Sequence, residues 1–108
     1  MPKSFIVIRT SFPALHCWPE CPFEDVAYLK NPHRHVFHVE MKFETTEDRQ
    51  IEFIRQKMDI DAYIMLNFYG RFLERISCET IAANLGKYFD AFFVSVFEDD
   101  ENGAEWYA

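Results

Sequence analysis

Pro32-His33-Arg34-His35-Val36-Phe37-His38 carries three of the four histidines of the chain, and its reading decides the fold. Side chains of an extended strand alternate between faces, so His33 and His35 share one. Phe37, Val39, Met41 and Phe43 continue that face. Arg34, His38, Glu40 and Lys42 fall on the other, with Val36 its one apolar exception. This is the pattern of a half-buried strand whose first two inward residues are potential metal ligands. A zinc site takes at least three protein groups, and the only histidine left is His16. On spacing alone, the His33/His35 pair favours core or turn histidines with ordinary hydrogen bonds over metal ligands.

The 108 residues form one domain, 1–108, and are too few for two. A hydrophobic content of 49%, with twelve Phe, is ample for a packed core. The net charge of -7, with acid concentrated in Glu98-Asp99-Asp100-Glu101, argues against nucleic-acid or anionic-membrane partners, which require basic patches. No apolar run is long enough to span a bilayer. Lys3 is followed by only Phe5-Ile6-Val7-Ile8 before Arg9, which is not a signal-peptide pattern. The three cysteines, Cys17, Cys21 and Cys78, make no disulfide framework. The expectation is a cytoplasmic protein in a reducing compartment.

Outward from the histidine strand, Ser4 to Phe12 reads as a first strand, apolar on both faces and ended by Pro13. Ala14 to Pro22 reads as an irregular loop, and Phe23 to Leu29 as a helical turn. Beyond the strand, Ile51, Ile54 and Met58 recur at helical spacing and predict a helix from about Arg49 to Lys57. A loose apolar segment follows through Asn67, and Gly70 breaks the chain. Ser77 reads as an N-cap, with Glu79 in the first turn, for a second helix from Cys78 to about Phe89. Its stripe is Ile81, Ala82, Leu85, Tyr88 and Phe89. Phe92 to Phe97 is a third strand ended by Glu98, which falls on the Val94/Val96 face. Asn102-Gly103 is a hairpin signal, with Glu105-Trp106-Tyr107 pairing back. The architecture is α+β, a four-stranded antiparallel sheet with two helices on one face. Its open edges predict edge-to-edge oligomerisation.

Several segments, taken in order, resemble the 6-pyruvoyl tetrahydropterin synthase family, which includes the 6-carboxytetrahydropterin synthases. Ser11-Phe12-Pro13-Ala14-Leu15-His16 resembles its Phe-x-Ala-x-His start. Pro32 to Phe37 resembles its His-Gly-His-aromatic motif, with Arg34 in place of Gly. Ile51-Glu52-Phe53, Leu66-Asn67 and Ser77-Cys78-Glu79-Thr80-Ile81-Ala82 resemble later pieces, and Val94-Ser95-Val96-Phe97-Glu98 its last core strand. The resemblance implies a tunnelling fold, with sheets of several subunits joined edge to edge into a barrel. It implies zinc on His16, His33 and His35. It also implies a pterin, purine or nucleotide ligand whose amino-pyrimidine edge bonds Glu98, with Glu79 a second carboxylate at the start of its helix. The activity it implies is that of a zinc-dependent carbon-oxygen lyase acting on a dihydroneopterin triphosphate-type substrate.

The departures concern proton transfer. The family's catalytic Cys lies a few residues before the His-x-His motif, where this chain has Val26 to Asn31 without a Cys. Cys21 is the nearest thiol upstream. The family's Leu-Asp-His is replaced by Asp61-Ala62-Tyr63, where Asp61 is the candidate acid or base and Tyr63 the alternative. These losses keep a second function open, a catalytically degenerate protein that holds the same ligand without turning it over. Glu98 also reads as the first member of a solvated acidic turn, Cys78 as a packed helix residue, and His16-Cys17 with Cys21 as a separate metal cluster lacking an obvious fourth ligand.

Overall fold

The computed structural model describes residues 3–108. The histidine strand forms as its pattern predicts. It is β2, His33–Thr45, with the odd positions from Phe37 to Thr45 buried and the even ones turned outward. β1, Ser4–His16, lies on one side of it. β3, Phe93–Glu98, lies on the other, followed by β4, Asn102–Tyr107. The order is β1-β2-β3-β4 and every pair is antiparallel. Two helices, α1 (Phe53–Asn67) and α2 (Cys78–Phe89), pack on the sheet, α1 over β1 and α2 over β3 and β4. Phe12, Phe37, Met41, Ile60, Ile81, Leu85, Val94 and Val96 are fully buried between the layers. Each such side chain contributes about 1.5–3 kcal/mol of burial energy.

β1 runs four residues beyond its predicted end, through Pro13 to His16. Proline is tolerated because β1 is an edge strand. The Pro13 carbonyl accepts from Gly70 N, and Leu15 exchanges bonds with Arg71 and Leu73, so the odd positions there face away from β2. The N–H that proline lacks would not have joined the β1–β2 ladder. This extension carries His16 into the sheet, opposite His33.

α1 begins four residues later than predicted and runs ten further. Arg49 has a φ of +56, which a helix interior does not admit. The Gln50 amide oxygen instead accepts from Thr46 N and Glu47 N in a closed turn. The cap is Glu52, whose carboxylate accepts from Arg55 N. The core face is Ile60 and Ile64, not the predicted Ile54 and Met58, both of which are exposed. α2 spans its predicted residues, with Ser77 Oγ accepting from Thr80 N. Tyr88 leaves the predicted stripe: it is exposed and lies against Tyr63, ring centroids 4.0 Å apart.

The last hairpin is present, but its turn sits earlier than Asn102-Gly103. Asp99 and Asp100, both left-handed, make the turn, and Glu101 N donates to Glu98 O. Asn and Asp tolerate that conformation better than other non-glycine residues. No helix among the described residues is long and apolar enough to cross a membrane.

Candidate metal centre

One end of the sheet collects the polar groups. His16 ends β1 opposite His33 at the start of β2, and Ala14 pairs with His35. Glu98, at the end of β3, pairs with Phe37. The strand period places His16, His33, His35 and Glu98 on the inner face, toward the helices. The three imidazole centroids lie 4.5 Å (His16–His33), 5.3 Å (His16–His35) and 5.0 Å (His33–His35) apart. One ring nitrogen from each falls within 4.8 Å of the others.

Each ring is fixed through Nδ1. His16 Nδ1 lies 2.9 Å from the Ile76 carbonyl and His33 Nδ1 lies 2.8 Å from that of Asn31. His35 Nδ1 lies 2.6 Å from Asp99 Oδ2, while Asp99 Oδ1 accepts from Val36 N. Carbonyl and carboxylate oxygens only accept, so in the neutral rings these contacts put the proton on Nδ1 and leave Nε2 as the lone pair. An outer partner on the far nitrogen is the usual support of a metal-ligating histidine. Asp99, a residue at the tip of the acidic turn, is thereby part of the centre.

Glu98 faces the rings. Its Oε2 lies 3.0 Å from His16 Nε2 and its Oε1 3.7 Å from His35 Nε2. The His16 contact lacks hydrogen-bond geometry, and this buried nitrogen has no hydrogen-bond partner. The Glu98 carboxylate still holds the His16 pKa above its ordinary value, against burial, which lowers it. His16 in turn holds the Glu98 carboxyl below its ordinary value. His35 does the same for Asp99.

A cavity of about 390 Å³ opens beside His16, His33 and Glu98. Its remaining wall includes Trp18, Leu29, Arg75, Cys17, and Cys78 and Glu79 from the first turn of α2. That volume suits a small-molecule ligand. Burial first, then the charges of Glu98 and Glu79, push the Cys78 thiol up to about 12. It is a protonated thiol at neutral pH, not a nucleophile.

The residues present fit a metal ion. Three imidazoles with satisfied outer nitrogens and an orphaned His16 Nε2 are a donor set waiting for a cation. Of the sequence-derived site residues, His16, His33, His35, Glu98 and Glu79 come together. Cys21 and Asp61 do not. Cys21 is buried outside the cavity, its thiol 3.8 Å from the carbonyls of Phe23 and Val26. Asp61 lies on α1, bonded to Thr10 Oγ1 at 2.6 Å and 3.3 Å from Lys57 Nζ. Thr10 is six positions from His16 along β1, about 20 Å at strand rise. Asp99, Cys78, Arg75 and the Ile76 carbonyl are site groups that sequence reading missed. Only Asp99 and Cys78 carried a signal, as neighbours of Glu98 and Ser77.

No protein-family model and no curated protein sequence matches the chain. A solved structure does: that of Caenorhabditis elegans 6-pyruvoyl tetrahydropterin synthase, with a TM-score of 0.81 over 100% of this chain and 97% of that one, at 14% sequence identity. The fold is therefore the one seen in 6-pyruvoyl tetrahydropterin synthase, as the ordered motifs imply.

Proposed function

We propose that the chain holds zinc on His16, His33 and His35 and acts as a zinc-dependent, lyase-like protein on a dihydroneopterin triphosphate-type substrate. The observation that carries this reading is the set of three imidazoles, each tied at Nδ1, beside a ligand-sized cavity. The fold likeness to a pterin synthase supports a pterin-type heterocycle over other ligands. Bound zinc supplies a Lewis acid that polarises substrate hydroxyls and lowers their pKa. Glu79 and Glu98 accept N–H bonds from the amino-pyrimidine edge, a charge-assisted contact. Arg75, at the cavity wall and paired with Glu20 at 3.0 Å, offers a guanidinium to the phosphates. Trp18 and Leu29 cover the apolar ring face.

A second reading has the same pocket holding a pterin, purine or nucleotide without turnover. The placement of Cys21 and Asp61 outside the cavity favours it, as does the protonated thiol of Cys78. Both readings place the protein in the cytoplasm, where the three free thiols persist. Both also make it a homo-oligomer joined through sheet edges.

Metal analysis of protein purified without chelator, alongside His16→Ala, His33→Ala and His35→Ala, tests the core of the proposal. One zinc per wild-type chain, lost in each variant, is expected, and wild type free of zinc after reconstitution would end it. Zinc-loaded protein is then incubated with dihydroneopterin triphosphate. Loss of the triphosphate from the substrate supports the lyase, while saturable binding with intact substrate supports the holding protein.

A further inference from the structure

The three rings of the centre are not held alike. His16 and His33 donate to the backbone carbonyls of Ile76 and Asn31, which no substitution removes. His35 alone is held by a side chain, the carboxylate of Asp99. That carboxylate serves two donors at once. Its Oδ2 accepts from His35 Nδ1 at 2.6 Å and its Oδ1 from Val36 N at 2.9 Å, while Asp99 N donates to Val36 O at 2.7 Å. The β2–β3 ladder ends at Phe37 and Glu98, and Asp99 carries it one step further with its side chain. The backbone is left-handed to reach this position. Asp99 and Asp100 have φ of +53 and +59 in the loop closed by Glu98 and Asn102. The better left-handed pair, Asn102-Gly103, stands inside β4 instead. Gly103 is needed there, because a Cβ would run into the Val96 carbonyl and Phe97. Glycine at position 99 would relax the turn but has no carboxylate to offer His35. Strain retained where the side chain has a partner points to a role for that side chain.

We propose that Asp99 is a positioning residue that locks the tautomer of His35, and so keeps the Nε2 lone pair of that ring available to a metal. The proposal rests on the metal reading above and adds the group that makes one ligand competent. A neutral imidazole has one N–H and one lone pair, and either nitrogen can take either role. A carboxylate only accepts, so Asp99 holds the ring proton on Nδ1. Asparagine in the same place has one acceptor for two donors. The Val36 N–H cannot change its role, so the amide oxygen stays with Val36 and the amide NH2 turns to His35. An amide N–H donates to Nδ1 and drives the ring proton to Nε2, the nitrogen left for the metal. Asp99→Asn therefore keeps the side-chain shape, the tolerance of left-handed backbone and the Val36 bond, and inverts one ring. Neither His16 nor His33 can be inverted in this way, because a backbone carbonyl has no donor to present.

The test uses the full chain, metal-free, at a pH well above about 6.5, the ordinary histidine value. Nitrogen-15 NMR of the imidazoles, with His35 assigned by its loss in His35→Ala, reads the tautomer without any activity. The His35 proton is expected on Nδ1 in wild type and in Asp100→Asn, and on Nε2 in Asp99→Asn. Zinc affinity by chelator competition is expected to fall by about 10–100-fold in Asp99→Asn, the loss typical of an outer partner. Asp100→Asn, which removes the same charge from the same turn, is expected to match wild type. Asp99→Gly gives His35 no partner and leaves it free to take either tautomer. It is expected to bind zinc more tightly than Asp99→Asn although it makes fewer bonds, an order that a purely structural role would reverse. That reversed order, unchanged affinity in Asp99→Asn, or a wild-type His35 proton on Nε2 would each overturn the assignment. Wild type that takes up no zinc while showing the expected tautomers would end the metal reading and leave the tautomer lock standing.

Discussion

His16 has both ring nitrogens inside the protein, one on the Ile76 carbonyl and one against Glu98. In the metal-free chain this has a definite pH signature. His16 is raised above its ordinary 6.5 and Glu98 lowered below its ordinary 4.5. The stabilising contribution of His16 is complete below 6.5 and is lost as pH rises through its raised folded-state value. That of Glu98 is complete above 4.5 and is lost as pH falls through its lowered folded-state value. The pair is expected to stabilise the metal-free protein most between those two values, with a fall on either side. Thermal melts across the acid and neutral range check this. A profile that His16→Ala leaves unaltered would show that the pair has no influence. The alignment of His33 and His35 was legible in the sequence, because a period of two is enough to set both on one face, but joining His16 to them as a metal set took the family resemblance. The outer partners were not legible. A backbone carbonyl has no sequence signature, and Asp99 reads as a solvated acid until the turn brings it to His35.

α1 shows why a helix can be predicted in kind and missed in detail. Its outer surface carries Ile54, Met58 and Met65, all exposed, while Ile60 and Ile64 face the core. Two apolar stripes on one helix defeat a reading that assumes one. The capped and single-striped α2 was legible residue for residue at both ends. Its weak point is invisible in a periodicity. Gly86 is buried where the Trp106 ring lies against the helix, and a Cβ there would run into that ring. Alanine favours helix over glycine by about 1 kcal/mol, yet Gly86→Ala is expected to destabilise the fold by about 1–3 kcal/mol through overpacking. Urea titration decides the sign, and a gain in stability would mean that Trp106 yields at no cost. Pro13 misled in the same way as α1. Whether a proline ends a strand depends on which edge its nitrogen faces, and that is fixed only once the neighbouring segment at Gly70 to Leu73 is in place.

The sheet as a whole is open at both sides, and its two edges are unequal. The C-terminal part of β1 is covered by the 70–73 segment, with Leu15 bridging to Phe72, whereas β4 is the outermost strand on its side. Ala108 N donates to Phe92 O, so even positions near the end of β4 face β3 and the Glu105 N–H faces outward. Glu105→Pro would remove that outward donor and spare the β3–β4 ladder. Light scattering is expected to give wild type a mass that is a multiple of 12.9 kDa, and the variant a smaller species. Equal masses for the two would exclude pairing through β4. The fold could be read from the chain because strand and helix order is local information. Edge-to-edge pairing could be expected from an open sheet, but not which edge serves, because that depends on which edges remain bare after folding.

The two tryptophans occupy opposite situations. Trp18 is 41% exposed and lines the cavity, whereas Trp106 is set against Gly86 beneath α2. One indole senses whatever enters beside the histidines, and the other senses whether the helix still sits on the sheet. The chain thus carries two separate optical gauges, an unlabelled probe of occupancy and an internal standard for folding.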